Sequence, residues 1–251
     1  VLSHLVMRGA YDGVYAGTSS DSDGVVIEGS EIWGNAYYGV YLETSNDGVE
    51  MVDTLVHDNS TRYGVYLRGT DVEVLRGEFY GNLYGIYVTG ANALVEGVKA
   101  YGNTQYGIYA TGAGTEIRGS NEVYDNGTAG IYASDNVLVE GNLVYGQIGA
   151  NHAGISLGGG RAVGNEVYGN NWGISGSGEI EGNRVYANTS VGIRPTGSGT
   201  VEGNVVYGNP VGVGVYAGVP GVSVDMRNNL IYDNTNQGLV INNGGLTTGY
   251  R

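Results

Sequence analysis

YGIYVTGANALVEGVKAYGNTQYGIY, residues 84–109, closes on the phrase that opens it. Gly85-Ile86-Tyr87 returns as Gly107-Ile108-Tyr109, and the same step runs on in both directions. Upstream stand Gly13-Val14-Tyr15, Gly39-Val40-Tyr41 and Gly64-Val65-Tyr66. Downstream stand Gly130-Ile131-Tyr132, Gly154-Ile155, Gly173-Ile174, Gly192-Ile193, Gly214-Val215 and Gly238-Leu239. These eleven copies recur at steps of 19 to 26 residues and occupy the whole chain. A unit this short cannot bury an apolar face by itself. Neighbouring units must stack on one another, so the repeat predicts a solenoid.

The columns of the repeat name its local structure. Three residues before an Asn column (Asn35, Asn59, Asn82, Asn103, Asn126, Gln147, Asn170, Asn188, Asn209, Asn234) lies an apolar column, Ile32 through Val144 to Ile231. A second apolar column runs from Ile27 through Val95, Val139 and Val163 to Met226, and a third follows the repeat Gly from Val14 through Ile108 to Val215 and Leu239. Three apolar columns predict three short strands per coil, each sending alternate residues inward. Most are β-branched, as strands prefer, and no segment carries a 3.6-residue period. The expected fold is all-β: one parallel β-helix domain spanning residues 1–251, with ten to eleven coils of roughly 22 residues. Stacked at strand spacing, such a rod is about 50 Å long. The Asn column suits both a left-handed or bridge backbone and an amide ladder between coils.

Composition narrows the partners. The net charge is −14, with one Lys and ten Arg, so nucleic acid is not expected. Polyanionic glycans meet net repulsion unless a local Arg cluster or a cation reverses the sign. The absence of Cys excludes disulfides and thiolate metal sites. No apolar run is long enough to span a membrane. The chain reads as a segment excised from something larger, and its polar tail Asn242-Asn243-Gly244-Gly245 reads as loose. Uncapped end coils would expose strand edges and permit end-to-end stacking.

Val139-Glu140-Gly141-Asn142-Leu143-Val144-Tyr145-Gly146-Gln147 and Val201-Glu202-Gly203-Asn204-Val205-Val206-Tyr207-Gly208-Asn209 resemble the right-handed parallel β-helix repeats of the pectate-lyase-like superfamily, in the style of NosD-like proteins and alginate C5-epimerase modules. The resemblance covers essentially the whole chain and implies a right-handed coil. It also implies where enzyme motifs would stand, and they are missing. There is no Asp-Pro-His, no Arg-x-Pro-x-x-Arg spacing around Arg194-Pro195, and no Gly-His-Gly.

The outward columns are aromatic. One holds Trp33, His57, Tyr80, Tyr101, Tyr124 and so on to Tyr232. A second holds Tyr15, Tyr41, Tyr66, Tyr87, Tyr109 and Tyr132, breaks to Ser156, Ser175 and Arg194, and resumes at Tyr216. A third holds Tyr38, Tyr63, Tyr84 and Tyr106. Such ladders stabilise neighbouring coils. In coils two to five all three coincide, which makes Trp33, Tyr38, Tyr41, Tyr63, Tyr66, Tyr80, Tyr84, Tyr87, Tyr101, Tyr106 and Tyr109 candidate contacts for a glycan or a surface protein. For catalysis the candidates are His57 and Tyr80, with Asp53 and Arg76 expected nearby; the plain alternative is a polar substitution in an exposed ladder. Ser20-Asp21-Ser22-Asp23-Gly24 carries the alternating oxygens of a calcium loop, with Asp21 and Asp23 as ligands, but an Asx-rich turn looks the same. The reading preferred is a non-catalytic extracellular or cell-surface module. The alternatives are a polysaccharide lyase or epimerase, and a purely structural rod, adhesin or fibre segment.

Overall fold

The computed structural model describes residues 1–59, 61–216 and 223–241, so the tail from Asn242 lies outside the described residues. Three columns of parallel strands wind through it. Strands such as Val26–Glu28, Glu50–Val52 and Glu73–Leu75 make the first column. Glu31–Trp33, Leu55–His57 and Glu78–Tyr80 begin the second, and Tyr38–Leu42, Tyr63–Leu67 and Tyr84–Val88 the third. The second column is one parallel sheet of 11 strands, from Val6–Arg8 to Leu230–Tyr232. Among the described residues there is no helix. The turns number about 10, as the sequence predicts.

In-register pairing turns each sequence column into a physical one. Val123, Val144 and Val167 pair in succession in the second column. Ile86, Ile108 and Ile131 do so in the third. All six are wholly buried. The core is therefore a thin stack of β-branched side chains, one layer per coil.

Two inward assignments slip. Val139 pairs with Ala162, not Val163, and Ala162 is the buried residue. Ile193 pairs with Val213, so the tenth repeat glycine is Gly212 and not Gly214. Val211-Gly212-Val213-Gly214-Val215 contains the phrase twice, and only pairing across coils selects one register. Gly214 follows Val213 into the outward position after Arg194, so Tyr216 lies two residues past the Tyr column.

The expectation of three separate strands per coil holds for most of the chain and changes near its end. Ala153–Val163, Trp172–Glu181 and Val191–Glu202 each run continuously through the third column and into the next first-column position. These coils are short, and their corners carry glycines with φ outside the ordinary range. Gly176 has φ 137, and a Cβ there would lie 1.9 Å from the Leu157 carbonyl oxygen. Only glycine lets a strand turn the corner this tightly.

The repeat glycine has a different cause. Gly39 has no left-handed φ, but a Cβ on it would lie 2.4 Å from the Gly64 carbonyl oxygen and 2.9 Å from Asn59 Nδ2. The position is glycine because the next coil's backbone carbonyl, the Val56 side chain and the Asn59 amide together fill the space beside it. Along the amide ladder Asn59 Nδ2 donates to Asn82 Oδ1 (3.1 Å) and Asn103 Nδ2 to Asn126 Oδ1 (3.0 Å), while each Asn backbone N–H donates to the next side-chain oxygen. The left-handed residue is the one before each Asn, such as Asp58, Gly81, Gly102 or Asp125. Asn is thus selected for its amide. The one substitution in the column shows the cost, because the Gln147 Nε2 is buried with no partner among the described residues.

A second amide ladder runs through the Asn of the Glu-Gly-Asn phrase. Asn121, Asn142, Asn165, Asn183, Asn204 and Asn229 line the turn between first and second strands. Nδ2 to Oδ1 distances run from 2.7 Å (Asn121 to Asn142) to 3.0 Å.

Candidate functional site

The eleven aromatic candidates separate into two groups. Tyr38, Tyr41, Tyr63, Tyr66, Tyr84, Tyr87, Tyr106 and Tyr109 all project from third-column strands. An ideal strand would place residues three apart on opposite faces. Here Gly39 and Val40 both turn inward, so Tyr38 and Tyr41 emerge together, and the pattern repeats at Tyr63–Leu67, Tyr84–Val88 and Tyr106–Ala110. The two columns interlock. Tyr41 stacks on Tyr66 (centroids 5.2 Å, 5° between planes) and Tyr66 on Tyr87 (4.6 Å, 9°). Tyr63 meets Tyr66 and Tyr87 edge-on at 5.3 and 5.0 Å, and Tyr84 bridges to Tyr109 at 5.4 Å. The result is a continuous, half-buried sheet of rings whose hydroxyls meet water. Arg68 sits over Tyr66 at 5.7 Å and pairs with Glu43, which also accepts from the Tyr41 hydroxyl.

Trp33, Tyr80 and Tyr101 belong to the second column. Among the described residues their ring contacts stay within that column. From Tyr80 to Tyr232 the rings stack at 4.8–5.1 Å, within 14° of parallel. Carboxylates of the preceding coil hold several hydroxyls: Tyr145 donates to Glu122 (2.8 Å) and Tyr186 to Glu166 (2.8 Å).

His57 is clamped inside this ladder. Its ring lies between Trp33 (5.8 Å, 6°) and Tyr80 (4.7 Å, 10°), with Nδ1 2.8 Å from Asp58 and Nε2 3.2 Å from Glu31. It is buried, its faces are covered and both nitrogens are engaged. Asp53 and Arg76 form a two-pronged pair of their own (3.0 and 3.2 Å) on the turn before the second strand. Asp23 accepts from the Asp47 backbone N–H of the next coil (2.8 Å), while Asp21 is exposed. Among the described residues no three His, Asp or Glu side chains converge as metal ligands would. Among the described residues no helix is long and apolar enough to cross a membrane.

Burial disfavours phenolate in both groups. It is the largest cause pushing Tyr38 and Tyr84 up to about 12, with neighbouring tyrosines adding to it. Tyr101 and Tyr186 also rise to about 12, through burial first and then Glu78 and Glu166 respectively. Tyr109 and Tyr145 go higher still. The ordinary value is near 10. A folded value raised above the unfolded one stabilises fully below about pH 10, and that stabilisation is lost as pH rises toward 12. We expect a component of the tyrosinate absorbance with its midpoint above pH 10, appearing together with loss of the far-ultraviolet sheet signal. Tyrosinate formation complete near pH 10 in an intact fold would contradict this geometry.

The match to known families is to the model of a right handed beta helix region, over residues 56–178 and 84–225. No curated protein sequence matches. Among solved structures the chain is similar to the A-module of Azotobacter vinelandii mannuronan C-5 epimerase AlgE4, with 18% identity and a TM-score of 0.62 over 91% of this chain and 65% of that one. It is similar to the periplasmic alginate epimerase AlgG (20%, TM-score 0.67, 98% of this chain and 72% of that one). It is also similar to pectate lyase Pel9A (18%, TM-score 0.60, 98% and 70%). The chain spans 61–65% of the length of AlgE4, of an AlgG T265N mutant and of the Dettilon tailspike protein, three of these similar structures. At these identities the likeness is one of fold.

Proposed function

This chain belongs to the right-handed beta helix family, and we propose that it is a non-catalytic, extracellular module that binds a neutral or weakly charged glycan on its third-column tyrosine surface. The observation that carries the reading is the contiguity of eight tyrosines there, from Tyr38 to Tyr109. A sugar ring offers apolar C–H faces and a rim of hydroxyls. Stacked phenol faces with hydroxyls at their edges complement both, and need no basic residues in a chain with so few. Such a surface is rigid because every ring is braced by the coil above and below. Binding therefore costs little side-chain ordering. The similar structures described as epimerases of alginate and as a pectate lyase support a glycan as the ligand, though not its charge, and AlgG, described as periplasmic, supports a setting outside the cytoplasm.

The test is affinity electrophoresis and glycan-array screening. The double variant Tyr66→Ala with Tyr87→Ala should weaken glycan binding by tenfold or more, about 1.4 kcal/mol. Tyr145→Ala, in the other ladder, should leave it unchanged. Binding that survives the double variant would place the site elsewhere, and a response confined to protein partners would favour an adhesin.

A further inference from the structure

The tyrosine column breaks where the coils shorten. Tyr132 pairs with Ser156, Ser156 with Ser175, and Ser175 with Arg194, so a guanidinium occupies the position of a phenol. Arg194 lies with its Cζ 4.2 Å from the Trp172 ring centroid and 5.5 Å from that of Tyr216. It is half-buried, and among the described residues its N–H groups have no acceptor and no carboxylate lies within ion-pair distance.

Arg68, Arg76, Arg118, Arg161, Arg184 and Arg227 each pair with a carboxylate, whereas Arg8 and Arg62, like Arg194, lie over an aromatic ring without one among the described residues. The chain has 25 acidic residues against 11 basic ones, so a counter-ion was available, and none has been placed beside Arg194. The stretches 217–222 and 242–251 contain no Asp or Glu that could supply one. A half-buried charge without a partner costs stability. Burial accordingly lowers the Arg194 value below that of an ordinary guanidinium. Stacking on Trp172 returns part of the cost and holds the guanidinium plane, leaving its N–H edge for a planar, two-pronged contact.

The space beside it is a groove of about 340 Å³, flanked by Asn151, Asn171, Trp172, Ser190 and Tyr216 as well as Arg194. Asn151 and Asn171 are tied to each other, the Asn151 backbone N–H donating to Asn171 Oδ1 at 3.0 Å, so the polar wall is preformed. An indole face, a guanidinium edge and amide groups together fit a sugar ring bearing one negative charge.

We infer that the groove at Arg194 binds a singly anionic sugar, its carboxylate or sulfate received by the guanidinium and its ring lying against Trp172. This rests on the glycan reading above and extends it to a second position on the same column, at the far end from the tyrosine surface. A single charge is favoured over a polyanion because the surrounding chain carries −14.

Trp172 supplies a direct readout. In a Trp33→Phe background it is the only Trp, and its fluorescence reports the groove without involving the Tyr66–Tyr87 surface. The probes are methyl glucuronide, glucose 6-sulfate, methyl glucoside and inorganic sulfate. We expect a saturable change with one or both anionic sugars, at least tenfold weaker with methyl glucoside and with inorganic sulfate. The comparison of glucuronide with sulfate ester identifies the group. Arg194→Gln should weaken the response tenfold or more. Arg194→Lys should restore only part of it, since an ammonium keeps the charge without the fork. Equal responses to methyl glucoside would overturn the proposal, as would equal responses to inorganic sulfate, an unchanged response in Arg194→Gln, or no response to any probe. Each of these leaves the tyrosine surface to be judged by its own double variant.

Discussion

Val144→Asp is expected to leave the chain unfolded at 25 °C, with a random-coil far-ultraviolet spectrum and early elution in gel filtration. Val144 is wholly buried, and its strand neighbours Val123 and Val167 occupy the coils on either side. Removing the valine forfeits about 2 kcal/mol of apolar burial. A carboxylate in its place has neither a cation nor hydrogen-bond donors in a column of β-branched side chains, and an unpaired buried charge costs several kcal/mol more. Those losses together match the total stability of an ordinary domain, about 5–15 kcal/mol. Every coil also depends on its neighbours, so damage in this layer is not confined to it. Tyr145→Asp is the control one residue along. It removes stacking on Tyr124 and Tyr168 and brings a charge near Glu122, yet the position faces water. This variant should fold, with stability lower by about 2 kcal/mol. A cooperative melt of Val144→Asp near that of the parent would refute the thin-core account.

Asn103→Ala should cost about 3 kcal/mol, read from urea unfolding. The side chain donates to the Phe79 carbonyl (3.0 Å) and to Asn126 Oδ1 (3.0 Å), and its oxygen accepts from the Asn82 backbone N–H (3.1 Å). Alanine leaves the Asn82 N–H buried and unpaired, which costs about 1–3 kcal/mol, and removes the side-chain bonds to the Phe79 carbonyl and to Asn126, each contributing about 1 kcal/mol. Asn103→Gln should fall between. The natural Gln147 keeps one half of the exchange, accepting from the Asn126 N–H at 3.2 Å, and strands its own amide nitrogen. A Gln variant as stable as the parent would mean that the ladder contributes only its oxygen.

Much of this was legible beforehand, and the reasons can be read from single residues. Ile108 and Val144 declare themselves inward because a strand alternates and the coil repeats, two local rules that need no knowledge of neighbours. Tyr41 and Tyr66 declare themselves outward on the same grounds. Val163 and Gly214 misled because Ala162 and Gly212 fit the local pattern as well, and a step of one or two residues is invisible until the next coil pairs. The second amide ladder was hidden differently: Asn142 follows a left-handed glycine and reads as a turn residue, while its role depends on Asn165 standing 23 residues away.

The sequence by itself determined the parallel solenoid, its inward columns, the first Asn ladder and the aromatic character of its surface. All of these follow from a short unit repeated along one chain, where chemistry at one position is chemistry at every coil. Only the tertiary structure decided which columns share a surface. It joined Tyr38 to Tyr41 through the inward turn of Gly39 and Val40, set Trp33, Tyr80 and Tyr101 apart with a clamped His57, and placed Arg194 against Trp172 with no carboxylate beside it among the described residues. Such outcomes depend on the direction of each side chain at a kinked strand and on register between coils about 20 residues apart, and neither is a property of any local stretch of chain.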